Sequence, residues 1–170
     1  GDYGNFWRTT AATLLDSDPI DTTVDTTKAI QLEYATYLED SVMLFSDKAQ
    51  FKLAGGKILS PSSVQISQTS TYEINKSIRP IYLNDKIFFC VKRGYNTAVM
   101  QYQVKTGSAA SEAIDITAHV QTYIPGSVRR LSGSSVNNML FLSIDNSDTI
   151  FAYKYYDSGD TRVQSAWFKW

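Results

Sequence analysis

At 170 residues the chain has the size of one ordinary domain, and its 43% hydrophobic content is too high for a disordered segment. The 16 basic residues nearly cancel the 17 acidic ones, so no basic surplus points to nucleic acid. A lone cysteine, Cys90, excludes an internal disulfide, and no run approaches the roughly 20 apolar residues of a membrane helix.

The first residues, "GDYGNFWRTT", hold neither a methionine nor a signal-peptide pattern, and Gly1 reads as a tag remnant or a cut site. The acidic stretch "LDSDPIDTTVD" (15–25) follows, with Asp18–Pro19 as a cap and first helical residue. Strand patterns then begin. "AIQLEY" (29–34) alternates; "VMLFS" (42–46) turns through "DKA" into "QFKL" (50–53); "GG" at 55 and 56 punctuates; "SVQIS" (63–67) alternates again. "IYL" (81–83), the turn "ND" and "KIFFCV" (86–91) make a hairpin, and "RGYN" leads into "AVMQYQV" (98–104). After a small polar stretch come "SVRRLS" (127–132), "NMLFLSI" (138–144), "IFAYKYY" (150–156) and the closing "RVQSAWFKW" (162–170), separated by the turns "DNSD" and "DSGD". The 13% aromatic content agrees with pleated sheets.

These strands predict an all-β, antiparallel fold. Phe45, Phe89 and Phe141 each sit in an apolar hairpin, and their spacing is close to the roughly 40–50 residues of a four-stranded propeller blade. The expected architecture is therefore about three propeller-like blades across residues 1–170, with residues 105–126 as a loop or short-helix insertion between blades. A β-sandwich is the competing architecture. Three blades do not close a propeller, and the chain stops inside an aromatic run, so an internal piece of a longer chain is expected. Phe45, Phe88 or Phe89, Phe141 and Trp167 are the expected core anchors. Cys90, inside "IFFCV", reads as a small buried hydrophobe.

No constellation of catalytic, cofactor-binding or metal-binding residues emerges. An EF-hand loop starting at Asp16 would need Gly at position 21 and Glu at position 27, where Asp21 and Thr27 stand, so Asp16, Asp18, Asp21 and Asp25 read as structural. His119 follows Asp115 by four residues and would share a helical face with it. No serine lies in a nucleophile elbow, so a capping Asp beside a structural His is the expected outcome. Lys92–Arg93 and Arg129–Arg130 are doublets on strands. Neighbours on a strand point to opposite faces, so neither is expected to form a patch. The sequon Asn75–Lys76–Ser77 carries little weight.

Several phrases occur in a recognisable order: "FWRTTAATLLDSDPID", "LFSDKAQFKLAGGKILSPSSVQISQTS", "RPIYLNDKIFFCVKRGYNTAVMQYQV", "AIDITAHVQTYIPGSVRRLSGS", "FAYKYY" and "RVQSAWFKW". Together they span nearly the whole chain and resemble the tail nozzle proteins (tail tubular protein B) of short-tailed, podovirus-type phages. Gln121 stands where the family pattern has proline, and residues 105–114 are small and polar. The resemblance implies a virion component with no enzymatic activity and no cofactor. It implies a ring of identical subunits at the distal end of a stubby tail, below the adaptor that carries the tail fibres, lining the channel through which DNA and internal proteins leave. It also implies a longer subunit with further β domains, and contact with the host surface. A tail-associated glycan-binding or glycan-degrading module, or a cellular propeller acting as an interaction platform, are the other classes that a strand-rich chain supports. Trp7, Trp167 and Trp170 discriminate between them, because a glycan groove would expose them. With balanced charge, DNA is expected only as transiting cargo, weakly bound.

Overall fold

The computed structural model of the protein describes residue 20 and residues 29–55, 60–104 and 111–170. The acidic stretch 15–25, apart from Ile20, and Trp7 lie outside the described residues. Twelve strands form three sheets. The first holds β1 (Leu32–Leu38), β2 (Ser41–Ser46), β3 (Gln50–Ala54) and β4 (Gln65–Ser70). The second holds β5 (Ile81–Leu83), β6 (Lys86–Arg93), β7 (Asn96–Val104) and β8 (Ser111–Asp115). The third holds β9 (Val128–Ser134), β10 (Met139–Ile144), β11 (Ile150–Ser158) and β12 (Thr161–Lys169). Every pairing is antiparallel and joins neighbours in the chain. The fold is all-β in three four-stranded antiparallel sheets, and no helix occurs among the described residues.

Turn chemistry explains the tight hairpins. Asn84 and Asp85 take φ values of 49° and 58°, and Leu83 pairs directly with Lys86 around them. A two-residue hairpin that follows the strand twist demands positive φ at both positions, which Asn and Asp tolerate. Five further hairpins, β1–β2, β6–β7, β9–β10, β10–β11 and β11–β12, also bend through left-handed residues, at Glu39, Gly94, Asn138, Asn146 and Gly159.

The second sheet lies between the other two. Alternate residues of β6 serve opposite cores. Phe88 and Cys90 join Val99, Leu140, Leu142, Phe151 and Tyr153 in the core shared with the third sheet. Ile87, Phe89 and Val91 join Leu38, Met43, Phe45, Met100 and Tyr102 in the core shared with the first. The apolar run "IFFCV" (87–91) therefore needs no polar face, because both faces of this strand are covered. Phe89 stacks on Tyr102 at a ring distance of 5.4 Å and meets Phe45 edge-on at 5.1 Å. β9 approaches β5 closely at Gly133, where an added Cβ would stand 3.0 Å from Leu83 Cδ2 and 3.2 Å from the Met139 carbonyl oxygen. A side chain at that position would push the two sheets apart.

Two expectations change. Phe141 is only half-buried, whereas its neighbours Leu140 and Leu142 are fully enclosed. The alternation of β10 turns Leu140 and Leu142 inward and Phe141 outward, so the anchor of this sheet is the leucine pair. Residues 105–126 are not purely a loop or short helix. Ser111–Asp115 is the fourth strand of the second sheet, with Ala113 opposite Tyr102, and turns follow it. The other expected anchors, Phe45, Phe88 and Phe89, are buried, and Trp167 packs half-buried against the core.

Burial pushes the Cys90 thiol up to about 12. Thiolate is the reactive form, so Cys90 should resist alkylation by iodoacetamide in the native protein at pH 8. It should react fully once urea unfolds the chain. Rapid labelling of the native protein would contradict this packing.

Candidate interaction surface

Several charged and polar side chains hold the sheets together. Asp157 at the end of β11 accepts a hydrogen bond from Arg162 Nε, and its other carboxylate oxygen lies 3.1 Å from Lys86 Nζ. The guanidinium also donates to the Tyr153 hydroxyl and, at 2.7 Å, to Gln101 Oε1. It sits 4.6 Å from the centre of the Tyr155 ring. Since Lys86 and Gln101 belong to the second sheet, this cluster clamps the second sheet to the third. Burial acts to raise the Asp157 carboxyl, but the Arg162 and Lys86 hydrogen bonds and charges outweigh it, leaving the group below its ordinary 3.8.

Asp115 is engaged in a similar way. It accepts from Arg93, from the Thr117 amide at 2.8 Å and from the Thr117 hydroxyl at 2.6 Å. Burial again acts upward and the Thr117 and Arg93 hydrogen bonds prevail, so this carboxyl is also lowered. Asp115 closes β8 and begins a turn, so it shares no helical face with His119, which is exposed four residues past the strand end. Asn75 is 7% exposed and its side-chain oxygen accepts from the Ser77 amide, which buries the acceptor asparagine of the sequon while Lys76 and Ser77 stay exposed. Among the described residues no group of three His, Cys, Asp or Glu could hold a metal ion.

The outer face of the third sheet is different. Phe141, Ala152 and Phe168 stand side by side across β10, β11 and β12. Trp170 packs against both rings, 5.8 Å from Phe141 and 6.0 Å from Phe168, and remains 68% exposed. Beneath this ridge Ala152 is fully covered. A hollow of about 270 Å³ adjoins it, lined by Lys154, Tyr156, Gln164, Ala166 and Phe168. Trp167 points the other way: its indole N–H donates to the Ile116 carbonyl at 3.0 Å, closing the core.

Arg129 and Arg130 overturn the expectation that strand alternation separates them. Ser143 pairs with Arg130 but Ile144 pairs with Val128, which leaves Arg129 as the extra residue of a bulge. A bulge breaks the alternation and re-aims a side chain. Both arginines are exposed and line one hollow of about 290 Å³ with Ser143, Ile144 and Ser147. Lys92 and Arg93 do separate as expected, Lys92 to solvent and Arg93 to Asp115.

The alternating pattern of "SVRRLS" gave no sign of the bulge. The clamp was missed because Asp157 reads as the first residue of the turn "DSGD" and Arg162 as the first of the closing strand, with no link to Lys86 or Gln101.

Comparison with known proteins supplies what side-chain geometry does not. A family model described as bacteriophage nozzle protein matches residues 1–170. The chain is also 32% identical, over 170 residues, to tail tubular protein gp12 of Escherichia phage T7. The match takes in 99% of this chain and 21% of that protein, so the chain spans about a fifth of the length of this relative.

Proposed function

The chain belongs to the bacteriophage nozzle protein family, and from that premise we propose that it is a structural part of a short phage tail. In this reading identical subunits form a ring at the distal end of the tail, next to the adaptor and fibres, and the ring surrounds the exit path of DNA and internal proteins. The three sheets are consecutive blades of a propeller that other parts of a longer subunit complete. The chain performs no reaction of its own. The family match over residues 1–170 carries this reading. Support comes from the three stacked sheets and from carboxylates already engaged in ion pairs, Asp157 with Arg162 and Lys86, and Asp115 with Arg93.

The test is location and need. Antibodies raised against this segment should decorate the distal tail tip of intact virions in electron micrographs. Particles made without the protein should hold DNA yet fail to infect. Labelling of heads alone, or full infectivity without the protein, would overturn the proposal. Because net charge is −1, the 170-residue segment should bind duplex DNA weakly near physiological salt. A tight complex with a steep salt dependence would contradict passive passage.

The ridge of half-buried Phe141 and Phe168 with exposed Trp170 favours one second reading, a glycan-binding surface. Host polysaccharide that quenches Trp170 fluorescence in the wild type, but leaves a Trp170→Ala variant unbound, would support it.

A further inference from the structure

The bulge at Arg129 places two guanidinium groups at one hollow, and neither has an ion-pair or hydrogen-bond partner among the described residues. Ser143 and Ser147 add hydroxyls to its lining. This donor-rich hollow suits carboxylate oxygens, which guanidinium forks bind with two parallel hydrogen bonds.

The chain carries a matching feature elsewhere. The β1–β2 hairpin ends in Glu39 and Asp40, both exposed and both without an ion-pair partner among the described residues. This tip lies at the end of the sheets that also holds the Asn84–Asp85 turn and Asn138, since β1, which ends at Leu38, packs beside β5, which ends at Leu83, and the Asn84 amide donates to Asn138. The arginine hollow adjoins Ser147 in the β10–β11 turn, at the opposite end of the third sheet. Acidic tip and basic hollow thus occupy different outer sheets and opposite ends, so one molecule does not join its own pair. Two copies can, and a contact between unlike patches is head-to-tail, the kind that builds rings or filaments.

We propose that the Arg129–Arg130 hollow receives the Glu39–Asp40 hairpin tip of a second copy of this chain. The inference rests on the assembly of identical subunits proposed above and identifies one of its contacts. A protein carboxylate fits better than a nucleic-acid backbone. The hollow is compact, and a polyphosphate running past it would meet exposed Asp145 and Asp148 in the adjoining turn.

The experiment uses the full-length protein and follows assembly by light scattering and negative-stain microscopy, with thermal melting as a folding control. Arg129→Glu with Arg130→Glu should raise the concentration needed for assembly about tenfold or more, since like charges then face each other. Glu39→Lys with Asp40→Lys should do the same, and the four changes together should restore assembly. Wild-type assembly should weaken at 1 M salt, where exposed charges are screened within about 3 Å. Should either pair of changes unfold the protein, Asp40→Cys with Arg130→Cys in otherwise unchanged protein replaces it, and oxidation should link subunits into multimers. Normal assembly by both charge-reversed variants, or no cross-linking of the cysteine pair, leaves assembly standing and overturns this contact. Wild-type protein that stays monomeric at every concentration overturns the assembly reading and this contact with it. Assembly unchanged, together with loss of binding to a 12-base-pair duplex in the Arg129→Glu, Arg130→Glu variant, overturns the contact in favour of a phosphate site.

Discussion

Truncation of Phe89 to alanine is expected to lower the unfolding free energy by about 3–5 kcal/mol, the range for removing a large buried ring. Phe89 is 1% exposed and joins the first sheet to the second through Phe45 and Tyr102. No neighbour fills the space by a rotamer change alone, because Phe45 and Tyr102 are themselves fully enclosed. A loss of this size is a large share of a typical domain margin. Phe141→Ala should cost clearly less, since that ring lies half-buried on the outer face. Urea unfolding followed by far-ultraviolet circular dichroism measures both. Equal losses would mean that the faces of β10 are assigned wrongly.

Replacing Asp157 with alanine should cost about 2–3 kcal/mol. That is below the roughly 3–5 kcal/mol for breaking a fully buried ion pair, because Lys86, Asp157 and Arg162 keep 12%, 16% and 23% side-chain exposure. The loss arises from two cations that remain at the sheet junction without their counter-charge. The pH dependence has a definite sign. The folded carboxyl lies below its ordinary 3.8, so its stabilisation is complete above the unfolded value and fades as pH falls through the folded one. Wild-type melting temperature should therefore drop as pH is lowered below about 5. In Asp157→Asn the drop should be shallower, because one of the contributing carboxyls is gone. Identical pH profiles for the two proteins would remove the clamp from the account.

Much of the fold was legible because local chemistry and burial agree. The turn "ND" at 84 and 85 takes the left-handed conformation that its residues favour, and "IFFCV" (87–91) is apolar throughout because two cores need its two faces. β8 escaped notice for the opposite reason. Its apolar positions are Ala113 and Ile114, and Ile114 remains 38% exposed, so the strand is held by its ladder with β7 more than by burial. Phe141 reads as an anchor for its place in an apolar hairpin at blade spacing, whereas alternation along β10 decides that Leu140 and Leu142 face inward. The arginine hollow was illegible because a bulge is a property of register between two strands. "SVRRLS" reads the same with or without one.

The order of strands within each sheet bears on how the chain acquires its structure. Every strand pairs with the strand next to it in sequence, so each sheet closes through short connections with a small entropic cost. Such local pairing favours fast formation compared with sheets that recruit distant segments. The second sheet has no face suited to water, so it gains stability only when a neighbour docks. During synthesis the first sheet has left the ribosome by the time β6 and β7 appear, and it offers Met43 and Phe45 to them at once. Phe88 and Cys90 then wait on the opposite face until β10 and β11 arrive, so the interval between the second and third sheets is when this chain is most exposed to aggregation.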